Sequence, residues 1–342
     1  NRAPDWFRCR LMSAADRDTD FDVLIAGGGL VGGSLAIALA ETSCRVGLIE
    51  AVPPDSDAQP SFDDRTIALS RGSQRILESL DLWPLLQERV WSIEQIHVSE
   101  QGRFGNAVID ATEQGLEALG FVINSRLLGQ TLWQRLEELP ATKVFCPAQA
   151  GLGEVAASES GQWRSVSVQT AGQRRELRTR LLVVADGARS ALRSALGIVA
   201  DERDYEQVAV VANIEVDARY AGHTAYERFT SAGPLAILPG RAGHYTLVLA
   251  CHADEAQVIL EMDDSALLER VQAAFGYRLG YFRRVGERHL YPLSLVTAQR
   301  VIADRAVLIG NAANGLHPVA AQGFNLGLRD VAILAELIAD QF

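Results

Sequence analysis

Apolar positions along the chain repeat in two modes that alternate at its start. Residues 21–26 read FDVLIA, a short β-branched and aliphatic run. After Gly27, Gly28 and Gly29 the segment LVGGSLAIALAE is apolar nearly all round, and CRVGLIE is apolar again. Strand, buried helix and second buried strand in that order predict parallel strands joined by a right-handed crossover. The Pro-, Asp- and Ser-rich stretch AVPPDSDAQPSFDD predicts a loop. In RGSQRILESLDLWPLL, Ile76, Leu77 and Leu80 fall at helical spacing and Pro84 disturbs the end. LLGQTLWQRLEEL predicts a further helix that stops before Pro140, and residues 162–185 read as a pair of hairpin-like strands. From about Val208 to Cys251 the pattern changes to successive strands (VAVVANIEV, TAYERFT, LAILP, HYTLVLA), an antiparallel block, followed by a helix near SALLERVQAAFG. RAVLIG is strand again, then comes a Gly/Asn/Pro loop, and a helix from about Asn325 runs to the chain end. Mixed β inserted between pieces of an α/β unit predicts two interleaved domains.

Composition narrows the chemistry. The 342 residues are 48% hydrophobic and 22% charged, and the formal charge is -11. An acidic balance disfavours attraction to phosphate backbones, which argues against nucleic acid as a partner. Lys143 is the one lysine, and it lies in ATKVF, outside any glycine-rich turn. That removes a P-loop, which requires a lysine within the phosphate-cradling turn. Cys9, Cys44, Cys146 and Cys251 are dispersed, and the histidines (His97, His223, His244, His252, His289 and His317) show no ligand spacing. No metal site is expected, and the cysteine usage suits a reducing, cytoplasmic compartment.

The opening turn carries the strongest motif. Gly27-x-Gly29-x-x-Gly32 follows a strand and opens a helix, and Glu50 closes the next strand. Glycines there permit a tight turn, so the backbone can approach a pyrophosphate that the helix N-terminus attracts. A carboxylate at Glu50 can accept ribose hydroxyls and would repel a 2′-phosphate, so FAD or NAD fits better than NADP. A second apparent match, Gly151-x-Gly153-x-x-Ala156, precedes SESGQWRSV and no helix, and is assigned to a turn.

Two later motifs make the pattern specific. ADGARSALR (Ala185 to Arg193) follows the apolar run LLVV, and GNAANGLHPVAAQGFNLGLRD (Gly310 to Asp330) follows AVL. With the opening fingerprint and the stretches FDDRTIALS, AYERFTSAGPLAILP, FGYRLG and YPLSL, the chain resembles the class A flavin aromatic hydroxylases, the family of p-hydroxybenzoate hydroxylase. Within it the chain is most similar to the ubiquinone-biosynthesis branch of 2-polyprenyl-6-methoxyphenol hydroxylases. The resemblance implies an α/β, Rossmann-like FAD-binding domain (20–90, 120–202 and 298–342) interleaved with a mixed and antiparallel β-sheet substrate domain (91–119 and 203–297). It also implies a further C-terminal segment beyond Phe342.

The same resemblance assigns residues. Gly27, Gly29, Gly32 and Glu50 would hold the ADP half of FAD. Arg65 would contact the flavin, and Arg126 and Gln130, at the start of a helix, the phosphate and ribityl region. Asp186 belongs to a motif shared between FAD and NAD(P)H. Asn311 stands where the family usually has Asp, keeping an acceptor without the charge. Gln322, Gly323 and Asn325 would present N–H groups to the flavin, with His317 and Pro318 nearby. No side chain is assigned a catalytic role, since the resemblance implies that the flavin would carry the chemistry: in the family's mechanism NAD(P)H reduces FAD, O2 adds at C4a, and the hydroperoxide delivers oxygen to an electron-rich ring. Tyr226, Phe229, Pro234 and Leu238 are the expected substrate-pocket residues. The implied substrate, a polyprenylated methoxyphenol, is lipophilic, and no apolar run reaches membrane-spanning length, so peripheral contact with the inner membrane or with pathway proteins is expected. A hydroxylase of another phenol or ring position, an isoprenoid reductase of the same fold and a non-catalytic nucleotide-binding protein are the alternatives.

Overall fold

The computed structural model describes residues 18–56, 59, 62, 65–158, 161–316 and 322–341. His317 and Pro318 lie outside them. The opening strand Phe21–Ala26 pairs in parallel with Val46–Ile49 on one side and with Gln173–Val184 on the other, and Val46–Ile49 pairs with Thr142–Phe145. Ala306–Leu308 extends this parallel set beyond Gln173–Val184. Helix Leu30–Ala40 is the crossover between the first two strands, and its uniform apolarity is explained by its surroundings. Leu35 and Leu39 are fully buried in a core shared with helices Ser125–Glu137 and Gln322–Ala339. Burial of each such leucine contributes about 2 kcal/mol.

A second sheet is mainly antiparallel. Among the described residues it runs in the order Asn314–Gly315, Phe282–Ala298, Ala200–Val216, His244–His252, Gly233–Pro239, Thr224–Thr230, Gln95–Glu100 and Asn106–Asp110. One face is covered by helices Ala253–Glu261 and Asp264–Phe275, whose Ile259, Leu267, Val271 and Phe275 pack on Val210, Leu235, Ile237 and Leu247. The other face carries Ala209, Val211, Val248, Ala250 and Tyr291. A three-stranded sheet of Thr66–Ser70, Gly120–Asn124 and Trp91–Ile93 joins the two halves. Its Leu69 and Ile123 face the nucleotide-side core, whereas Ala68, Trp91 and Val122 pack on Ala225 and Leu238 of the large sheet.

The expected α/β class with a mixed and antiparallel second sheet is what the structure has. Three local readings change. Gly151, Gly153 and Ala156 lie in strand Gln149–Ser158, paired with Gly161–Thr170, and not in a turn. A Cβ at Gly153 would sit 2.5 Å from the Ser165 carbonyl oxygen, so the glycine serves close strand pairing. The block assigned from Val208 begins at Ala200, in a 17-residue strand whose polar first half, ADERDYEQ, gives no apolar alternation. The last helix starts at Gln322, one turn earlier than its apolar periodicity shows.

Candidate FAD site

The three motifs meet at the ends of the parallel strands. The N–H of Gly27 donates to the Ile49 carbonyl (2.8 Å) and that of Ala185 to the Ala26 carbonyl (2.8 Å), so strand pairing carries the first and second motifs to the same edge. Gly27 has φ +107°, and a Cβ there would lie 2.4 Å from the Ala185 oxygen. Gly32 is tighter still: its Cβ would fall 1.9 Å from the Gly27 oxygen. The third motif joins through Gly310, whose Cβ position is 3.1 Å from the Val31 side chain, and through Gly315, 3.3 Å from the Ala188 side chain.

The N-terminus of helix Leu30–Ala40 is open. Its cap Gly29 is extended (φ -67°, ψ -170°), no side chain caps it, and its first turn holds no acid. Its first-turn N–H groups, uncapped by any side chain among the described residues, therefore suit a dinucleotide phosphate. Glu50, buried at the adjacent strand end, accepts from the Gly28 N–H at 2.5 Å through one oxygen. Its other oxygen accepts from the Val52 N–H at 2.8 Å and the Gln59 amide at 3.4 Å. A carboxylate has about four acceptor positions, so Glu50 braces the glycine turn and retains capacity for a ribose hydroxyl. The indole N–H of Trp133 donates to the Gly28 carbonyl at 3.1 Å and fixes the turn from the other side. This donor set and open helix end fit the adenosine diphosphate half of FAD.

The remaining assigned residues fall around this edge with different engagements. Arg65 stacks its guanidinium over the Tyr291 ring, 4.3 Å from the centroid, and its carbonyl accepts from the Ser125 N–H at 2.8 Å. It thus bridges the nucleotide side and the open face of the large sheet. Arg126 lies within helix Ser125–Glu137, after the Asn124 cap, and is half-buried. Gln130 is exposed in the middle of that helix, not at its start. Asp186 is exposed in the second motif, with the Leu192 N–H 3.4 Å from its carboxylate. Asn311 is exposed and its side-chain oxygen lies 3.9 Å from the Cβ position of Gly323, so the third motif and the start of the last helix are adjacent. Gln322 is exposed at that helix start.

Asn325 behaves differently from its neighbours. Its oxygen accepts from the Ser70 N–H (2.8 Å) and the Ser73 hydroxyl (2.6 Å), while its nitrogen donates to the Ala68 carbonyl (2.8 Å). The buried amide side chain therefore ties the last helix to the Thr66–Ser70 strand and the helix after it. That tie holds the start of the last helix in place.

Two of the four expected pocket residues, Pro234 and Leu238, alternate onto the face of strand Gly233–Pro239 opposite the buried Leu235 and Ile237. Phe229 pairs with Pro234 and shares that face. Tyr226 pairs with Ile237 and points the other way, its ring 5.2 Å from Phe275 under the covering helices. It is a core residue of the helix-covered side, because strand alternation puts it one step out of phase with Phe229 and Leu238.

Sequence reasoning passed over Arg193 and Trp133. Arg193 is buried, and its guanidinium donates to the Ala188 carbonyl (2.9 Å) and the Ala312 carbonyl (3.1 Å), clamping the second motif to the third. The signal was its position as the last residue of ADGARSALR, where a helix-surface arginine would be solvated. Asp330 ends the third motif. Its carboxylate accepts from the Gly310 N–H at 3.0 Å, and burial pushes its pKa up while that N–H draws it partly back.

Comparisons with known proteins agree with this geometry. A family model described as "FAD binding domain" matches residues 20–342. Ubiquinone hydroxylase UbiL of Rhodospirillum rubrum is 38% identical over 94% of this chain and 73% of its own length. The 3-demethoxyubiquinol 3-hydroxylase of Escherichia coli is 29% identical over 93% of this chain and 80% of its own. Among solved structures, PqsL of Pseudomonas aeruginosa in complex with 2-aminobenzoylacetate has a TM-score of 0.77 at 21% identity, covering 92% of this chain and 85% of that one. The p-nitrophenol 4-monooxygenase PnpA of Pseudomonas putida has a TM-score of 0.73 at 19% identity, covering 94% and 80%. At those identities the two structures establish the shared fold. The family match and the relatives of similar sequence establish more: this chain belongs to the FAD-binding monooxygenase family.

Proposed function

We propose that this chain is an NAD(P)H-using, FAD-dependent hydroxylase of a lipophilic, prenylated methoxyphenol in ubiquinone biosynthesis. The observation that carries the reading is the bridge formed by Arg65, which leaves the nucleotide edge and covers Tyr291 on the helix-free face of the large sheet. The names of the relatives, ubiquinone hydroxylase UbiL and 3-demethoxyubiquinol 3-hydroxylase, supply the substrate class.

In this reading the N–H groups following Gly27, Gly29 and Gly32 hold the pyrophosphate, and Glu50 accepts from the ribose. Arg126, Gln130 and Asp186 flank the phosphate and ribityl region. Asn311, Gln322 and Gly323 border the flavin ring, where the N-terminus of helix Gln322–Ala339 favours the negative charge that accumulates on reduction. FAD, when bound, supplies the reduction and oxygen-transfer chemistry. The protein's task is to exclude water from the reacting atoms and to orient an electron-rich ring. The face bearing Phe229, Pro234, Ala236, Leu238 and Val248 supplies apolar surface for a prenylated ring, and Arg65 on Tyr291 closes its edge toward the nucleotide. Among the described residues no helix is long and apolar enough to cross a membrane.

The test is the quinone-intermediate profile of cells lacking this protein. Accumulation of a polyprenyl-methoxyphenol that disappears on re-expression is expected. An unaltered intermediate profile and normal ubiquinone would overturn the assignment.

A further inference from the structure

The helix-free face of the large sheet holds a carboxylate that none of the described residues answers. Strand Thr224–Thr230 alternates between two environments. Tyr226 packs on Phe275, and Arg228 donates to the Ala274 carbonyl at 2.7 Å and to the Ser99 hydroxyl at 3.1 Å, all on the helix-covered side. Ala225, Glu227 and Phe229 therefore point to the opposite side. The ladder fixes the surroundings of Glu227: Val98 and Ala236 flank it, Val248 lies opposite Ala236, and Val211 opposite Val248. Ala225 and Phe229 sit one pleat before and after it, about 7 Å along the strand. None of these side chains can donate a hydrogen bond.

Glu227 is half-buried, and among the described residues no hydrogen bond or ion pair reaches its carboxylate. Burial pushes its pKa up, with no neighbouring charge contributing. A carboxylate withdrawn from water with no donor is destabilising, and any β-forming apolar residue would fit the same sheet position at less cost. The environment is consistent with a donor that arrives with a ligand. Its place on the face is suited to that: Ala225, beside it, packs on the three-stranded sheet whose Ala68 carbonyl receives the Asn325 amide. Tyr291, beneath Arg65, lies on the same face two strands beyond Val248.

We propose that Glu227 is a substrate-binding residue that accepts the hydrogen bond of the phenolic hydroxyl and so selects which edge of the ring is presented for oxidation. The inference rests on the ring-hydroxylation reading above and adds the residue that recognises the substrate's one obligatory polar group. The apolar neighbours hold the ring plane, and the carboxylate fixes its rotation within that plane. A hydrogen bond from the hydroxyl to a carboxylate shifts electron density onto the ring oxygen and hence to the ortho and para carbons, where an electrophilic oxygen is received. A site built to accept from a hydroxyl also discriminates against an ether of the same shape, because the acceptor is then left unpaired.

The experiment uses the full chain loaded with FAD. A prenylated methoxyphenol and its O-methyl ether are titrated separately, and binding is read from the perturbation of the flavin absorbance. The wild-type chain is expected to prefer the phenol by roughly tenfold, the ratio that one charge-assisted hydrogen bond of about 1.5 kcal/mol supplies. Glu227→Leu is expected to bind both compounds alike, and Glu227→Gln, which keeps a neutral acceptor, to retain a smaller preference. The flavin spectrum of each variant reports that it has folded and loaded cofactor. A wild-type preference that survives in Glu227→Leu, or is unchanged in Glu227→Gln should the leucine variant fail to load FAD, overturns the role of Glu227. Equal wild-type affinity for the two compounds also overturns it. If FAD-loaded wild-type protein binds neither compound, the ring-hydroxylation reading falls, and this role with it.

Discussion

The nucleotide edge and the open face of the large sheet treat their buried polar groups in opposite ways. At the edge, Glu50 accepts from two N–H groups and an amide, and Asn325 uses both ends of its amide on the Thr66–Ser70 strand and the helix after it. Arg193 spans two motif carbonyls, and even the raised carboxyl of Asp330 has the Gly310 N–H. On the sheet face Glu227 has no such answer among the described residues. A cradle for a dinucleotide works by being fixed in advance, so its side chains hold one another and leave backbone N–H groups for the ligand. On the proposed reading, the sheet face keeps an acceptor in reserve for its substrate.

The comparison breaks most sharply at Gly32. In Gly32→Ala the new Cβ must displace the Gly27 carbonyl from a 1.9 Å approach, opening the turn against the second motif. Overpacking of this kind costs about 3 kcal/mol, equivalent to a hundredfold or so in FAD affinity, measurable by equilibrium titration of apoprotein. Wild-type affinity in that variant would mean that the turn is not a fixed cradle. Asn325→Ala comes next. It strands the Ser70 N–H and the Ala68 carbonyl and leaves the Ser73 hydroxyl only its Ser70 hydroxyl partner, and a loss of about 2 kcal/mol is expected, seen as a fall of several degrees in Tm with FAD uptake retained. An unchanged Tm would show that those groups find water instead.

The smallest effect is a pH dependence of stability set by Asp330. Burial raises the carboxyl of Asp330 above the usual 3.8, so the folded state favours its protonated form. Its contribution to stability is present below the unfolded value and is lost as pH rises through the folded one. Asp330→Asn, which keeps an acceptor for the Gly310 N–H, should match wild type in acid and be the more stable protein toward neutral pH. Chemical denaturation at several pH values checks this. A variant less stable than wild type at neutral pH would mean that charge on Asp330 is needed by the Gly310 turn.

The nucleotide side was the more legible half in sequence because its signals are local. A strand, three glycines, an apolar helix and an acid at the next strand end lie within thirty residues, and each is required by the geometry of one turn. The antiparallel half depends on alternation, where a phase error of one residue moves a side chain to the other face. Tyr226 was mistaken in that way, and Glu227 was passed over beside it. The polar start of strand Ala200–Val216 was missed because its stability comes from pairing with Phe282–Ala298 rather than from an apolar face of its own. Arg193 and Asn325 act across more than a hundred residues of sequence, a separation at which no spacing rule operates.

The central claim, that the FAD-loaded chain inserts oxygen into a phenolic ring held on the large sheet, is tested most directly by single-turnover oxidation with isotopically labelled O2. Protein reduced by NAD(P)H is mixed with labelled O2 and a prenylated methoxyphenol, and the product is analysed by mass spectrometry. The account predicts a ring-hydroxylated product carrying one labelled oxygen atom. Recovery of unaltered phenol with the labelled oxygen in hydrogen peroxide would contradict it.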